Sequence, residues 1–181
     1  MEEEAISVLS PQAVGLAPVT LVLGGARSGK SRFAEHMIAG PGTYVATAEA
    51  RDSEMRARIA EHRARRGAAW RTVEAPLALV EALRDADRDG KPVLLDCLTM
   101  WLSNLMEAGR DVEGETVRLT GCLGALENPV VVVSNEVGQG IVPANALARR
   151  VRDRAGAVNQ AVAAIADQVF FVTAGLPARL K

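Results

Sequence analysis

Apolar residues fall in short unbroken runs separated by amphipathic stretches, and that alternation sets the expected elements. Val19-Thr20-Leu21-Val22-Leu23 is a run of the kind a parallel strand buried on both faces needs. Ser31 to Ile38 follows with helix formers and one apolar face. Gly40-Pro41-Gly42 breaks the chain, and Thr43–Thr47 predicts a second strand. Met55, Ile59 and His62 share one face of a helix predicted over Asp52–Arg66, with Gly67 as its stop. Trp70–Glu74 predicts a short extended piece, Pro76–Asp85 a helix with proline in its first turn, and Val93–Asp96 a buried strand. Helices are expected at Thr99–Glu107 and Gly114–Leu126. The clearest β run is Pro129–Ser134, followed by a long helix over Asn145–Ala166, interrupted near Gly156, and a last strand at Gln168–Thr173. Strands alternating with helices predict an α/β fold, a mainly parallel β-sheet with helices on both faces. Residues 19–181 are expected to form one domain, preceded by an arm over 1–18 to which no chemistry attaches, either disordered or packed.

Between the first strand and the first helix stands Gly24-Gly25-Ala26-Arg27-Ser28-Gly29-Lys30-Ser31, which fits Gly, four residues, Gly-Lys-Ser/Thr. Glycines let the backbone fold back and aim successive N–H groups at phosphate oxygens. Lys30 brings a mobile charge to the β- and γ-phosphates, and the Ser31 hydroxyl is placed to ligate Mg²⁺. The strand before and the helix after are the context the motif requires, so the fold is expected to be P-loop NTPase-like. Asp96, a carboxylate ending an apolar strand, has the form of the second motif of such enzymes and is a second expected Mg²⁺ ligand. Taken alone it would equally serve as a helix cap. The loop Asn135-Glu136-Val137-Gly138-Gln139-Gly140-Ile141-Val142-Pro143 follows a strand at the sheet end where open α/β sheets bind ligands.

Composition removes other classes. Twenty-one basic against 22 acidic residues leave no global field for nucleic acid or an anionic membrane. No apolar run approaches the length of a membrane span. Cys97 and Cys122 are isolated thiols without metal spacing or a disulfide framework, and the start Met1-Glu2-Glu3-Glu4 is unlike a secretory signal, so a cytoplasmic location is expected.

A phosphate loop does not name the reaction. His62 is the discriminating residue, because neutral imidazole can attack phosphorus and form a covalent P–N intermediate. Arg63, Arg65 and Arg66 beside it could stabilise charge developing on an attacked phosphate. Its stripe with Met55 and Ile59 also allows a packed core histidine. His36, in the first helix, reads as structural or solvated.

Taken together, the blocks GGARSGKSRFAE (24–35), YVATAEARDSEMRARIAEHRARRGAAWRTVEAP (44–76), LLDCLTMWLSNLM (94–106), NEVGQGIVP (135–143) and the tail from Arg150 to Lys181 resemble a known family. It is the bifunctional adenosylcobinamide kinase/adenosylcobinamide-phosphate guanylyltransferase of cobalamin biosynthesis. The resemblance runs from about Thr20 to Lys181; Ala144 stands where many relatives carry an acid, and the leading arm is longer than usual. It implies that His62 is the residue guanylylated and that Gly24 to Ser31 bind nucleotide phosphates. It further implies that Ala46, Thr47, Ala48, Arg63, Ala64, Arg65, Arg66, Glu74 and Asp96 line the guanine nucleotide site. The implied substrates are GTP and ATP with Mg²⁺, adenosylcobinamide and its phosphate; the implied assembly is a homotrimer. A single-activity P-loop kinase of small metabolites, with His62 merely packed, is the alternative within this fold. An ATP-driven switch or nucleic-acid motor is disfavoured by the near-zero net charge.

Overall fold

The computed structural model describes residues 15–50, 53–67 and 69–181. In chain order these give β1 (Val19–Gly24), α1 (Lys30–Met37), β2 (Thr43–Ala46), α2 (Ser53–Arg66), β3 (Arg71–Glu74), α3 (Leu79–Asp87) and β4 (Val93–Asp96). There follow α4 (Leu98–Glu107), α5 (Val112–Leu123), β5 (Val130–Asn135), α6 (Ala146–Ile165), β6 (Gln168–Thr173) and β7 (Leu176–Arg179). Within α2 the side chains of residues 54, 55, 58, 61, 62 and 65 lie outside those described, as does the expected arm before residue 15.

All the strands join one sheet in the order β3-β2-β4-β5-β1-β6-β7. Every pairing is parallel except the last, β6 with β7. Alternation along the central strands feeds two cores, as sheets covered on both faces require. Val22, Leu94, Val131, Val133 and Phe170 pack against Phe33, Ala34 and Met37 of α1. Leu21, Leu95 and Val132 face the other way, toward Leu83, Leu98, Trp101, Leu102, Leu119 and Val162 of α3 to α6.

Three expectations give way. α3 begins at Leu79, not Pro76, because the carbonyls before it are spent elsewhere: Asn104 Nδ2 donates to Pro76 O at 3.0 Å, and Trp101 Nε1 donates to Leu77 O at 3.2 Å. α6 runs through Gly156 without a break. One helical glycine costs about 1 kcal/mol relative to alanine, which the buried face of Ala155, Val158, Asn159 and Val162 outweighs. Gln168–Thr173 is not the last strand. Ala174 and Gly175, with φ of 51° and 83°, make the two-residue turn that returns the chain as β7. Pro177 is tolerated there because β7 is an edge strand. Smaller shifts occur at α5, which starts at Val112 because the Asp111 side chain accepts from Glu113 N.

The carboxyl ends of β2, β3 and β4 are tied by a buried polar network. The Thr47 hydroxyl donates to Cys97 O at 2.7 Å and accepts from Cys97 N at 2.8 Å. Asn104 Nδ2 donates to Thr47 O at 2.8 Å as well as to Pro76 O, and Ala75 N donates to Ala46 O at 2.7 Å. One α4 side chain thus holds the segments leaving β2 and β3, while Thr47 holds the segment leaving β4. Removing it strands two buried carbonyls. Asn104→Ala is therefore expected to destabilise the fold by about 1–3 kcal/mol. The check is a lower urea midpoint at unchanged slope; an unmoved midpoint would mean the carbonyls find other donors.

Candidate nucleotide site

β1 delivers the phosphate loop to the carboxyl edge between β5 and β6, with Gly24 in register with Asn135 and Val172. A Cβ on Gly24 would stand 2.5 Å from Ser28 Oγ and 2.6 Å from Val172 O, so only glycine lets the chain pass. Gly29 has φ of 95°, and a Cβ there would meet Gly175 Cα at 3.1 Å. Gly175 N in turn donates to Ser28 O at 2.8 Å, so the β6–β7 turn backs the loop. Gly25 differs: a Cβ there would meet nothing within 4 Å, leaving its role to the ligand side. Lys30 is buried, its Nζ donating back across the loop to Gly25 O at 3.0 Å. Gly29 caps α1 without a side-chain acceptor. The first N–H groups of α1 are thereby available to an anion, as a phosphate site requires.

Beside the loop opens a cavity of about 680 Å³. Arg27, Ser28, Gly29, Lys30 and Ser31 form one wall, and Ala46, Ala48 and Asp96 come from the ends of β2 and β4. Glu74 of β3 and Arg63 and Arg66 of α2 complete it. These are the residues expected from the sequence, brought together around one space.

Other expected residues stand differently. Gly24 shapes the loop from behind, and neither it nor Gly25 nor Ala26 lines the cavity. Thr47 is fully buried, its hydroxyl committed to Cys97, so it holds Ala46 and Ala48 in place and does not face the ligand space. Ala64 faces an adjoining hollow of about 530 Å³, lined also by Arg56 and Ala60 and divided from the main cavity by Ile59, Arg63 and Glu74, which border both. His62 belongs to α2, whose Ile59, Arg63 and Arg66 border the main cavity. The side chains of His62 and Arg65 lie outside the described residues.

The cavity also contains residues the sequence reading missed. Tyr44 is one: period-two spacing from Ala46 on β2 was the available signal. His36, exposed on α1, is another, with Thr72, Cys97 and Met100, while Asn135, at the end of β5, brings the first residue of the expected ligand-side loop to the same space. Asn135 is fixed from two sides, its N–H donating to Thr99 Oγ1 and its carbonyl accepting from Asn159 Nδ2.

Electrostatics sort the candidate nucleophiles. Burial, and then the charge of Asp96, push the Cys97 thiol up to about 12, and burial raises Cys122 as well. Neither is a thiolate near neutral pH, so neither competes with a histidine. Burial, then Asp96, likewise hold the Tyr44 phenol well above its ordinary range, keeping it protonated. Arg66 lies over the Tyr44 ring with its guanidinium carbon 3.4 Å from the centroid, and pairs with Glu35 of α1 at 3.7 Å. Arg63 pairs with Glu74 at 3.8 Å across the cavity rim.

Comparison with known proteins agrees with this arrangement. The family model CobU, cobinamide kinase / cobinamide phosphate guanyltransferase, matches residues 20–180. The bifunctional adenosylcobalamin biosynthesis protein CobP of Pseudomonas aeruginosa is 51% identical over 166 residues, 89% of this chain and 96% of that protein. The protein of corresponding description, CobU, is 42% identical over 179 residues in Salmonella typhimurium and 40% over 178 in Escherichia coli, each covering 89% of this chain and 98% of the relative. Among solved structures, a prototypical ATPase from the type III secretion system of pathogenic bacteria superposes with a TM-score of 0.50 at 13% identity. It covers 89% of this chain and 56% of that one, a likeness of fold alone. A phosphate loop matched within residues 20–180, and relatives aligned along nearly their whole lengths, lead to one conclusion: the chain belongs to the cobinamide kinase / cobinamide phosphate guanyltransferase family.

Proposed function

We propose that this chain performs both family reactions at the one cavity, the second through a guanylyl-histidine at His62. The observation that carries the reading is the meeting of the phosphate loop, Asp96 and helix α2 around a single space. In the first reaction a nucleoside triphosphate, ATP or GTP, gives its γ-phosphoryl group to the aminopropanol hydroxyl of adenosylcobinamide. The hydroxyl oxygen forms the new P–O bond, the bond to the β-phosphate oxygen breaks, and the hydroxyl proton leaves. The loop amides, the α1 N-terminus and Lys30 hold the phosphates and neutralise the charge that shifts toward the leaving diphosphate.

In the second reaction an imidazole nitrogen of His62 attacks the α-phosphorus of GTP. A P–N bond forms, the bond to the bridging oxygen breaks, pyrophosphate departs, and the imidazole proton goes to solvent. A phosphate oxygen of adenosylcobinamide phosphate then forms the new P–O bond as the P–N bond breaks, and a proton returns from solvent to the departing ring, giving adenosylcobinamide-GDP and regenerating the imidazole. Arg63 and Arg65 stand on the same helix to offset charge at the attacked phosphate, while Arg66, of the same run, lies buried on the Tyr44 ring beside Glu35.

Ser31 and Asp96 both border the cavity and offer hard oxygen donors. That set fits Mg²⁺, which takes few protein ligands and completes its shell with phosphate and water. When bound, the ion would supply charge neutralisation at the phosphates. Among the described residues no cluster of three or more acidic, histidine or cysteine side chains competes as a metal site. Exposed Val137, Ile141, Val142 and Leu147, on the loop beyond β5 and the start of α6, support a face for association, and the homotrimer is our reading from the resemblance. No helix among the described residues is long and apolar enough to cross a membrane, and a cytoplasmic location remains our reading.

Three outcomes test this. Lys30→Ala should lower both activities, by roughly 100-fold or more, since both need the triphosphate held; full phosphorylation by a folded variant would remove the shared loop. Asp96→Asn should raise the Mg²⁺ concentration for half-maximal rate by about tenfold, while an unchanged titration would make Asp96 a cap only. His62→Ala should abolish guanylyl transfer, by on the order of 10³-fold, while sparing most phosphorylation. With α-labelled GTP, the retained label should be acid-labile and base-stable. Peptide mapping should place it at residue 62; label at His36, which also borders the cavity, or retained transfer in His62→Ala, would overturn the assignment.

A further inference from the structure

The sheet register puts Tyr44 and Ala46 of β2 opposite Leu94 and Asp96 of β4, on the face toward α1. Tyr44 is buried there among Phe33, Met37 and Leu94, yet one side of its ring meets the nucleotide cavity. On that ring lies Arg66, the last residue of α2. The Arg66 side chain is only 3% exposed, and its Nε and Nη1 have no hydrogen-bond partner. A cation withdrawn from water in this way is costly unless something replaces its hydration. Here the replacements are the ring face at 3.4 Å and the Glu35 carboxylate at 3.7 Å, too far for a hydrogen bond. An aliphatic side chain of equal volume would fill the space but offer the cation nothing.

The other described ion pair between α2 and the sheet is weaker. Arg63 and Glu74 keep 62% and 73% of their side-chain surface in solvent, where such pairs contribute little. Among the described side chains, the seat at Tyr44 is therefore the firm attachment of α2 to the body of the protein. The phosphate loop, the start of α1 and the backbone of Asp96 are carried by the sheet and do not depend on Arg66, although the Asp96 carboxylate also interacts with the Tyr44 hydroxyl.

We propose that Tyr44 is a positioning residue for guanylyl transfer. Its ring is the seat on which Arg66 docks the C-terminal turn of α2, and that docking fixes the pose of the helix beside the nucleotide. The role belongs to the ring face; the hydroxyl interacts with Asp96 instead, and Tyr44→Phe separates the two contributions. That role rests on the reading of α2 as the bearer of the guanylyl acceptor.

The test compares Tyr44→Phe, Tyr44→Leu, Arg66→Met and the Leu/Met double variant. Two rates are read in each preparation: single-turnover labelling from α-labelled GTP, and phosphorylation of adenosylcobinamide. Tyr44→Leu and Arg66→Met should each lose about tenfold more in labelling than in phosphorylation, the size of a desolvated cation–ring contact. Tyr44→Phe should label about tenfold faster than Tyr44→Leu, and the double variant no slower than the slower single one. Should Tyr44→Leu not fold, Arg66→Met carries the same expectation with the apolar cluster intact. Amide hydrogen exchange over residues 60–66 of the nucleotide-free protein supplies a readout independent of chemistry. It should quicken in Tyr44→Leu and Arg66→Met and not in Tyr44→Phe. Parallel loss of both rates, Tyr44→Phe as slow as Tyr44→Leu, or exchange unmoved in all variants would each overturn the seat. If the unsubstituted protein takes no label, the covalent reading fails and Tyr44 loses its part in transfer with it, while the exchange pattern still decides whether the seat exists.

Discussion

Two glycines of the phosphate loop leave little or no room for a side chain, and the catalytic edge of the sheet is arranged around that closeness. At Gly24 the chain passes within 2.6 Å, measured to an added Cβ, of the Val172 carbonyl; at Gly29 it turns left-handed against Gly175. The loop is thus held by backbone on both flanks, by Glu136 N bonding Gly24 O on the β5 side and Gly175 N bonding Ser28 O on the β6 side. Amides fixed in this way need no reorganisation when a phosphate arrives, which is where their electrostatic value lies.

The cavity walls are built with unequal stiffness. Its floor is sheet, with the strand ends bound to one another through Thr47, Cys97 and Asn104, all in the interior. Its rim is α2, joined through arginines, one stacked on Tyr44 and one paired with exposed Glu74. Phosphoryl transfer asks chiefly for fixed donors around a triphosphate. A covalent transfer needs one group to approach phosphorus, then present the product to a second, larger substrate. A rigid floor and a rim attached at few points match those two demands.

The central strands and the phosphate loop were legible because their signals are local: apolar runs bounded by breakers, and a spaced motif. What escaped depended on distant partners. The strand at Leu176–Arg179 carries Pro177 and follows an Ala-Gly turn, so its pairing appears only once β6 lies beside it. The start of α3 was misplaced because Asn104 and Trp101, more than twenty residues away, take the carbonyls before it. The resemblance implied Thr47 at the nucleotide site together with Ala46 and Ala48, yet strand alternation turns its hydroxyl inward onto Cys97. His62 shares a stripe with Met55 and Ile59, so periodicity favoured packing as readily as chemistry. Only the resemblance of whole blocks distinguished it, and Tyr44 carried no motif at all.

The turn at Ala174-Gly175 has a consequence for how the protein is made. A ribosome emits the phosphate loop well before the surfaces that seat it, Val172 and Gly175, which follow α6. Such non-local closure is slow and comes late. A nascent chain therefore exposes a glycine-rich loop with a lysine and no fixed backing until β6 and β7 join the sheet. Nucleotide capture is consequently tied to the arrival of β6 and β7, and a chain cut short before residue 172 would carry the motif without the seat for it.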